Sequence, residues 1–421
     1  MTTGINYPVG WASKRLKYVS SHNDEVLPEG TDDLTEIDYV EISGVSLTRG
    51  LEETNRMPFF QAPSRARRKV RSGDILISTV RTYLRAIAAV EEASDDLVAS
   101  TGFCVVRPGK DAHSAYLGWV AKSEPFVSEI VARSVGVSYP AINSSELVTI
   151  EVPLPPLETQ QRIARFLDEK TAQIDGLIEK KRALLDRLAE KRQALITQAV
   201  TKGLNPTAPL KPSGIDWLGD IPAHWGLVPF KWRCRVQSGQ VDPLEQKFAE
   251  MPLIAPDHIE SATGRLYEVT SADEQGAISG KYLCPVGSIL YSKIRPALRK
   301  VALYDGECLC SADMYAIDPG THFDRTYLFY FLLTDAFTSY AELESLRVAM
   351  PKVNRDALGD FRLPVPSLDE QAQIASLCSK KDKQHHYAHE QVKKSIEKLE
   401  EYRSALITAA VTGKMENLYG H

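Results

Sequence analysis

Between Arg56 and Arg85 the chain carries eight basic residues, Arg56, Arg65, Arg67, Arg68, Lys69, Arg71, Arg81 and Arg85, against the single acid Asp74. Between Lys281 and Lys300 it carries five more, Lys281, Lys293, Arg295, Arg299 and Lys300, with no acid. Guanidinium and ammonium groups at this density neutralise phosphates well. The formal net charge of the chain is −5, so both stretches are local exceptions in an acidic protein, as an electrostatic footprint for a nucleic-acid backbone would be. The competing reading is an ordinary solvated face. It loses weight because the two clusters overlap when the halves of the chain are aligned. The candidate DNA contacts are Arg65, Arg67, Arg68, Lys69, Arg81 and Arg85 in the first half, with Lys293, Arg295, Arg299 and Lys300 in the second.

Patterns that would carry catalysis fail one after another. "GAISGKY" (Gly276 to Tyr282) has the wrong glycine spacing for a phosphate-binding loop, and Tyr282 stands where a magnesium-holding Ser or Thr belongs. His385 and His389 have i, i+4 spacing but no adjoining Glu and no third ligand, so a helix-surface role is expected rather than zinc. Pro256-Asp257 has no Glu-x-Lys at nuclease-like spacing. "SYPAIN" is not the loop with which amino-methyltransferases hold a target base. The six cysteines form no CxxC pair and are expected to be free thiols, and no metal site is expected. No apolar run approaches the length of a membrane span, and "MTTGINYPVGWASKRL" lacks the features of a secretory signal, so a cytoplasmic protein is expected.

The elements that must position the basic residues emerge from an internal repeat. "ALITQAVT" (Ala194 to Thr201) returns as "ALITAAVT" (Ala405 to Thr412), 211 residues later. At the same offset "PLPPLETQQRIA" (Pro153 to Ala164) pairs with "PVPSLDEQAQIA" (Pro364 to Ala375), and "YPAIN" (Tyr139 to Asn143) pairs with "MPKVN" (Met350 to Asn354). At an offset of 214, "GDILISTVR" (Gly73 to Arg81) pairs with "GSILYSKIR" (Gly287 to Arg295), and Trp11 falls opposite Trp225. At 421 residues the chain has room for two proper cores, and the repeat assigns one to each half.

Each half reads as a mixed domain followed by a long helix. Neither Glu158 to Thr201 nor Asp369 to Thr412 contains a proline, and 44 residues at 1.5 Å each would extend roughly 66 Å. Ser367 and Glu370 have capping-box spacing at the second helix's start. Gly176 is a local weakness of about 1 kcal/mol against alanine. Ile174, Leu177, Lys181, Leu184, Leu188, Lys191 and Leu195 alternate steps of three and four, as do Val392, Ile396, Leu399, Arg403, Leu406 and Ala410. The expected packing residues are Ile174, Leu177, Leu184, Leu188 and Leu195 against Val392, Ile396, Leu399 and Leu406. Two helices in separate bundles are the alternative; the equivalent placement favours an intramolecular coiled coil. Before each helix, "GDILIS", "GSILYS", "FCVVRP" and "MYAIDP" read as strands, whereas "YLGWVAKSEPFVSEIV" and "YLFYFLLTDAFTSYAEL" read as helical. Residues 202–229, rich in proline and glycine, read as a linker.

"KPSGIDWLGDIPAHWGLVPFK" (Lys211 to Lys231), "PLPPLETQQRIARFLDEKTAQID" (Pro153 to Asp175) and "YRSALITAAVTGK" (Tyr402 to Lys414) resemble the signatures of the specificity subunit of type I restriction-modification systems. The resemblance spans essentially the whole chain, including the duplication. The first half departs from it by carrying only "INYPVGW" where the second has the full entry segment. The resemblance implies an α+β tandem pseudo-repeat: a target recognition domain over 1–152, a spacer helix over 153–203, a linker and second recognition domain over 204–363, and a second helix over 364–421, with the helices in an antiparallel coiled coil. It further implies a non-catalytic reader of bipartite double-stranded DNA that docks two adenine methyltransferase subunits and then restriction/translocase subunits. S-adenosylmethionine, ATP and magnesium would belong to those partners and none to this chain. Repeated surfaces suit two copies of one partner, and divergent stretches such as "SRARRKV" against "ISGKYLC" suit two different half-sites. The alternatives are a self-sufficient DNA methyltransferase or nuclease, and a coiled-coil scaffold that does not bind DNA.

Overall fold

The computed structural model describes residues 7–345 and 351–418. Residues 1–6 and Met350, which fall in segments quoted above, lie outside them. The chain forms two compact units, Met1–Arg182 with Lys393–His421, and Ala183–Val392.

In the first unit one sheet has the order Ser20–His22, Phe103–Pro108, Ile75–Ser78, Ile87–Ala89, and a second the order Asn55–Pro58, Glu36–Val40, Leu97–Ser100, Ala66–Lys69. Ile75–Ser78 is buried at all four positions, the continuous burial expected of a strand covered on both faces. The second unit repeats this plan: Arg235–Val236, Met314–Asp318, Ile289–Ser292, Val301–Leu303 in one sheet, and Gln240–Val241, Lys281–Cys284, Cys308–Cys310, Leu253–Ile254 in the other. In both units the second sheet contains a parallel pair, Leu97–Ser100 with Glu36–Val40 and Cys308–Cys310 with Leu253–Ile254. The edges of that sheet correspond too, at different lengths. Asn55–Pro58 pairs with Glu36–Val40 where a single bridge joins Ser271 to Pro252, and Gln240–Val241 pairs with Lys281–Cys284 where a single bridge joins Val26 to Arg68.

The helical stretch after each sheet pair is two helices, not one. Ser114–Lys122 and Glu124–Arg133 break at Ser123, whose extended backbone precedes Pro125 at the next helix's first turn. Arg325–Leu332 and Asp335–Ser345 are their counterparts. Each domain closes with a strand pair, Ala12–Arg15 on Glu151–Leu154 and Gly226–Pro229 on Arg362–Val365.

The long helices span Leu157–Lys202 and Leu368–Val411, the first running uninterrupted through Gly176. They pack antiparallel. In the first unit Arg182 reaches Glu400 (3.3 Å) and Arg403 reaches Asp175 (2.9 Å); in the second, Arg192 pairs with Asp382. The seam of the second helix falls where the spacing predicts, with Ile396 and Leu406 buried and Val392 and Leu399 half-buried. In the first, Ile174, Lys181 and Leu188 fall in the seam and Leu195 is half-buried, as the spacing predicts, but the alternate positions lie one residue later. Leu177 and Leu184 are 48% and 44% exposed, while Ile178 is buried and Leu185 half-buried. The seam runs Ile174, Ile178, Lys181, Leu185, Leu188, Arg192, Ile196, so two polar residues with long apolar stems lie in the groove among the aliphatic ones.

Each helix start is clamped by one buried glutamine. Gln160 accepts from His113 N (2.8 Å) and donates to the carbonyls of Asp111 and Pro155. Gln371 accepts from Asp324 N (2.8 Å) and donates to those of His322 and Pro366. Tyr116 and Tyr327 donate to the carbonyls of Pro153 and Pro364. Ser367 Oγ accepts from Glu370 N as a capping box requires, but the Glu370 carboxylate does not return the bond: it accepts from Trp225 Nε1 and lies 3.0 Å from His224 Nε2.

The repeated helix ends are docking ends. Ile196, Ala199 and Val200 belong to the second unit's core with Trp225, Tyr327 and Ile374. In the first unit Val411 and Thr412 line a small cleft with Tyr7, Phe126 and Ile150. Gly413, at φ +73°, stops the second helix where a side chain would collide with Pro8. Residues 202–229 are no loose linker: Leu210–Pro212 pairs with Asp220–Pro222, and Trp225 is 1% exposed. Among the described residues no helix is long and apolar enough to cross a membrane.

Candidate nucleic-acid interface

Strands Ile75–Ser78 and Ile289–Ser292 both end in a turn flanked by two arginines. Arg81 and Arg85 bracket the 3-10 turn Thr82–Leu84 at φ +50° and +53°; Arg295 and Arg299 bracket Pro296–Leu298 at +48° each. Among the described residues these are four of the six non-glycine positions with positive φ. The left-handed region costs an L-residue about 1 kcal/mol or more, and such strain concentrates at functional sites. The surroundings enforce it identically in both units. Val80 bridges to Ala141 as Ile294 does to Lys352, and Ser78 and Ser292 donate to the carbonyls of Val80 and Ile294.

The two arginines of each turn have different duties. Arg85 makes a two-pronged ion pair with Glu124 (2.8 and 3.1 Å), and Arg299 pairs with the equivalent Asp335. Arg81 and Arg295 are exposed and have no ion-pair partner among the described residues. Arg81 lies 5.0 Å over the ring of Tyr139, in a loop whose Val135, Val137 and Tyr139 are 80%, 103% and 66% exposed. Each turn therefore offers one anchored and one available guanidinium.

The first unit's basic stretch is less bare than its sequence suggests, because acids arrive from other strands. Arg56 meets Glu36, Asp38 and Asp96; Arg65 meets Glu41; Arg71 meets Glu25. The Arg107 and Arg71 guanidiniums hold the Glu25 carboxyl below its usual range. Asp74 is buried against Arg107. Arg67, Arg68 and Lys69 remain without an ion pair among the described residues, half-buried on a strand whose outer side is bonded to residues 25–27. Arg67 sits at a β-bulge, since Ala99 pairs with Arg68 and Ser100 with Ala66, and it lies 4.9 Å over Phe59. Such bulges re-aim side chains.

In the second unit the equivalent strand Lys281–Cys284 is covered by Gln240–Val241. Lys281 is buried, its Nζ bonded to Ser279, so "GAISGKY" is a structural turn. Lys300 donates to the Pro256 carbonyl, and Lys293 and Arg355 both lie over Tyr315, at 5.3 and 5.6 Å. Arg355, Tyr139 and the acids Glu124 and Asp335 escape a search for basic clusters. The 211-residue offset between the two acids was the available signal.

All six cysteines are buried free thiols, and burial pushes Cys104 up to about 11 and Cys234 and Cys378 up to about 12, away from the thiolate. His385 and His389 are half-buried and line a cavity instead of lying on the helix surface, and among the described residues no group of three or more metal-ligating side chains occurs.

A family model described as type I restriction modification DNA specificity domain matches residues 53–187 and again 259–398. The type I restriction enzyme EcoDI specificity subunit of Escherichia coli is 30% identical over 274 residues, 62% of this chain and 60% of that protein's length. The MjaVIII specificity subunit of Methanocaldococcus jannaschii is 23% identical over 333 residues, 76% of this chain and 74% of its own. Two solved structures share the fold at 24% identity. One, from work on complex assembly and conformational transition of the type I R-M system, has a TM-score of 0.74 and covers 97% of this chain and 100% of its own. The other, the HsdS subunit from Thermoanaerobacter tengcongensis, has a TM-score of 0.55 and covers 99% and 100%.

Proposed function

The chain belongs to the type I restriction modification DNA specificity family, and from that premise we propose that it is the non-catalytic DNA-reading subunit of a type I restriction-modification complex. The recognition domains, at 1–152 and 204–363, each read one half of a bipartite duplex target. The helices at 153–203 and 364–421 fix the gap between half-sites and carry two adenine methyltransferase subunits, which restriction/translocase subunits join. S-adenosylmethionine, ATP and magnesium reside on those partners, and the complex works in the cytoplasm. Arg67, Arg68, Lys69, Arg81 and Arg295 meet phosphates or base edges, while Arg85 and Arg299 hold the turns in shape.

One observation carries this reading. Two domains share the same joint to the helices and the same strained arginine turn, yet differ on the equivalent strand of the second sheet, where one unit carries Arg67, Arg68 and Lys69 without ion pairs among the described residues and the other carries a buried Lys281 followed by Tyr282 and Leu283. Phosphate contacts can be shared between half-sites, whereas base readout must differ. Mapping methylated motifs in a host that expresses the methyltransferase subunits with and without this chain tests the reading. A bipartite motif that appears only with the chain is expected; methylation independent of it would refute the proposal.

A further inference from the structure

Arg192 and Arg403 lie 211 residues apart and are 8% and 6% exposed, in the seam of the helix pair. Each ties three segments together. Arg192 pairs through Nε with Asp382 of the facing helix, and its Nη1 and Nη2 donate to the carbonyls of Ala262 (2.9 Å) and Thr263 (3.3 Å) in the second recognition domain. Arg403 pairs through Nε with Asp175 (2.9 Å), and its Nη2 donates to the Thr48 carbonyl (3.2 Å) in the first. The acids are not repeat equivalents: 211 residues before Asp382 stands Thr171, and 211 after Asp175 stands His386. The same three-way junction is thus built twice from different carboxylates.

In the second unit the junction continues to the strained turn. Ala262 is itself left-handed at φ +60°, and its N–H donates to the carbonyl of Leu298, between Arg295 and Arg299. In the first unit Arg403 and Thr48 line one cavity with Arg85 and Asp175. A guanidinium faces a carboxylate and separate backbone carbonyls in one fixed geometry, because its donors lie in a rigid planar fork, whereas an ammonium's three donors rotate on a flexible stem. A buried ion pair of this kind contributes little net stability over an apolar pair, but it admits one register.

We propose that Arg192 and Arg403 are positioning residues that lock each recognition domain to the helix pair at one axial position, and so set how strictly the gap between half-sites is read. This rests on the function proposed above. The test is methylome mapping in cells expressing the methyltransferase subunits with the wild-type chain, Arg192→Lys, Arg403→Lys, or the alanine variants, alongside melting curves of the purified complexes. The lysine variants keep charge and much of the volume, so they decide the question even if the alanine variants fail to fold. In both lysine variants methylation at sites with unchanged half-sites but a gap one base pair longer or shorter should rise roughly tenfold relative to the native gap, equal to about 1.4 kcal/mol of discrimination. Asp382→Asn and Asp175→Asn should loosen the gap in the same direction. A lowered melting temperature with unchanged gap selectivity would overturn the proposal and leave the arginines as packing elements. Absence of any bipartite motif with the wild-type chain would instead overturn the function on which it rests.

Discussion

The inner part of the two recognition domains is nearly superimposable in its chemistry, and the outer part is not. Gln160 and Gln371 make the same three hydrogen bonds, Tyr116 and Tyr327 the same carbonyl contact, and Arg85–Glu124 and Arg299–Asp335 the same brace. Farther out, one unit carries the half-buried Arg67, Arg68 and Lys69 on a strand where the other has a buried Lys281 followed by Tyr282 and Leu283. Sameness follows the contact with the helices. A surface used identically twice is kept in duplicate, and a surface given two tasks is free to diverge.

The strongest way to break this comparison is to exchange residues 1–152 for the equivalent domain of a relative. One half of the methylated motif should change and the other stay, as methylome mapping would show; a change in both would dissolve the division of labour. Next in size is an insertion into the first helix between Leu177 and Leu188. Four residues should lengthen it by roughly 6 Å and turn the seam out of phase, abolishing methylation at the native gap, whereas seven should keep the phase and move the accepted gap. Gln160→Ala and Gln371→Ala each strand buried backbone groups and should cost about 3 kcal/mol apiece, read as equal drops in melting temperature. Unequal drops would mean that the joints are alike only in appearance.

Smaller effects separate the outer surfaces. Lys69→Ala and Arg81→Ala should weaken binding to cognate and one-base-variant duplexes alike and lower the salt slope by about one unit each, measured with the methyltransferase subunits present. A relaxed motif would show that either side chain reads a base. Smallest is a pH effect confined to the second unit, where His385 occupies the seam position that Ile174 holds in the first. Burial lowers its pKa from the ordinary 6.5, so the unfolded chain takes up the proton first and stability is lost as the pH falls through about 6.5. Wild type should melt lower at pH 5.5 than at 7.5 by a margin that His385→Gln reduces.

Much of this was legible in the residues. The duplication, both long helices, the strands at Ile75 and Ile289 and the seam from Val392 to Ala410 follow from offset, proline placement and period. What failed did so for identifiable reasons. Leu177 and Leu184 fit the period, but each has an apolar neighbour, Ile178 and Leu185, that fits it equally well and enters the groove instead, leaving the first pair facing water. The basic stretch looked unopposed because its partners, Glu25, Glu36, Glu41 and Glu124, are distant in sequence. Left-handed arginines leave no trace in composition. Only the recurrence of Arg-x-x-x-Arg at Arg81 and Arg295 hinted at them.

The placement of the helix ends also orders the protein's birth on the ribosome. The second unit is one uninterrupted stretch, Ala183–Val392, whereas the first needs Lys393 onward, and Val411 and Thr412 in particular, to close over a domain synthesised some 250 residues earlier. The domain translated first is therefore the one completed last. It must wait, open along the groove that those residues fill, until translation has passed the end of the second long helix.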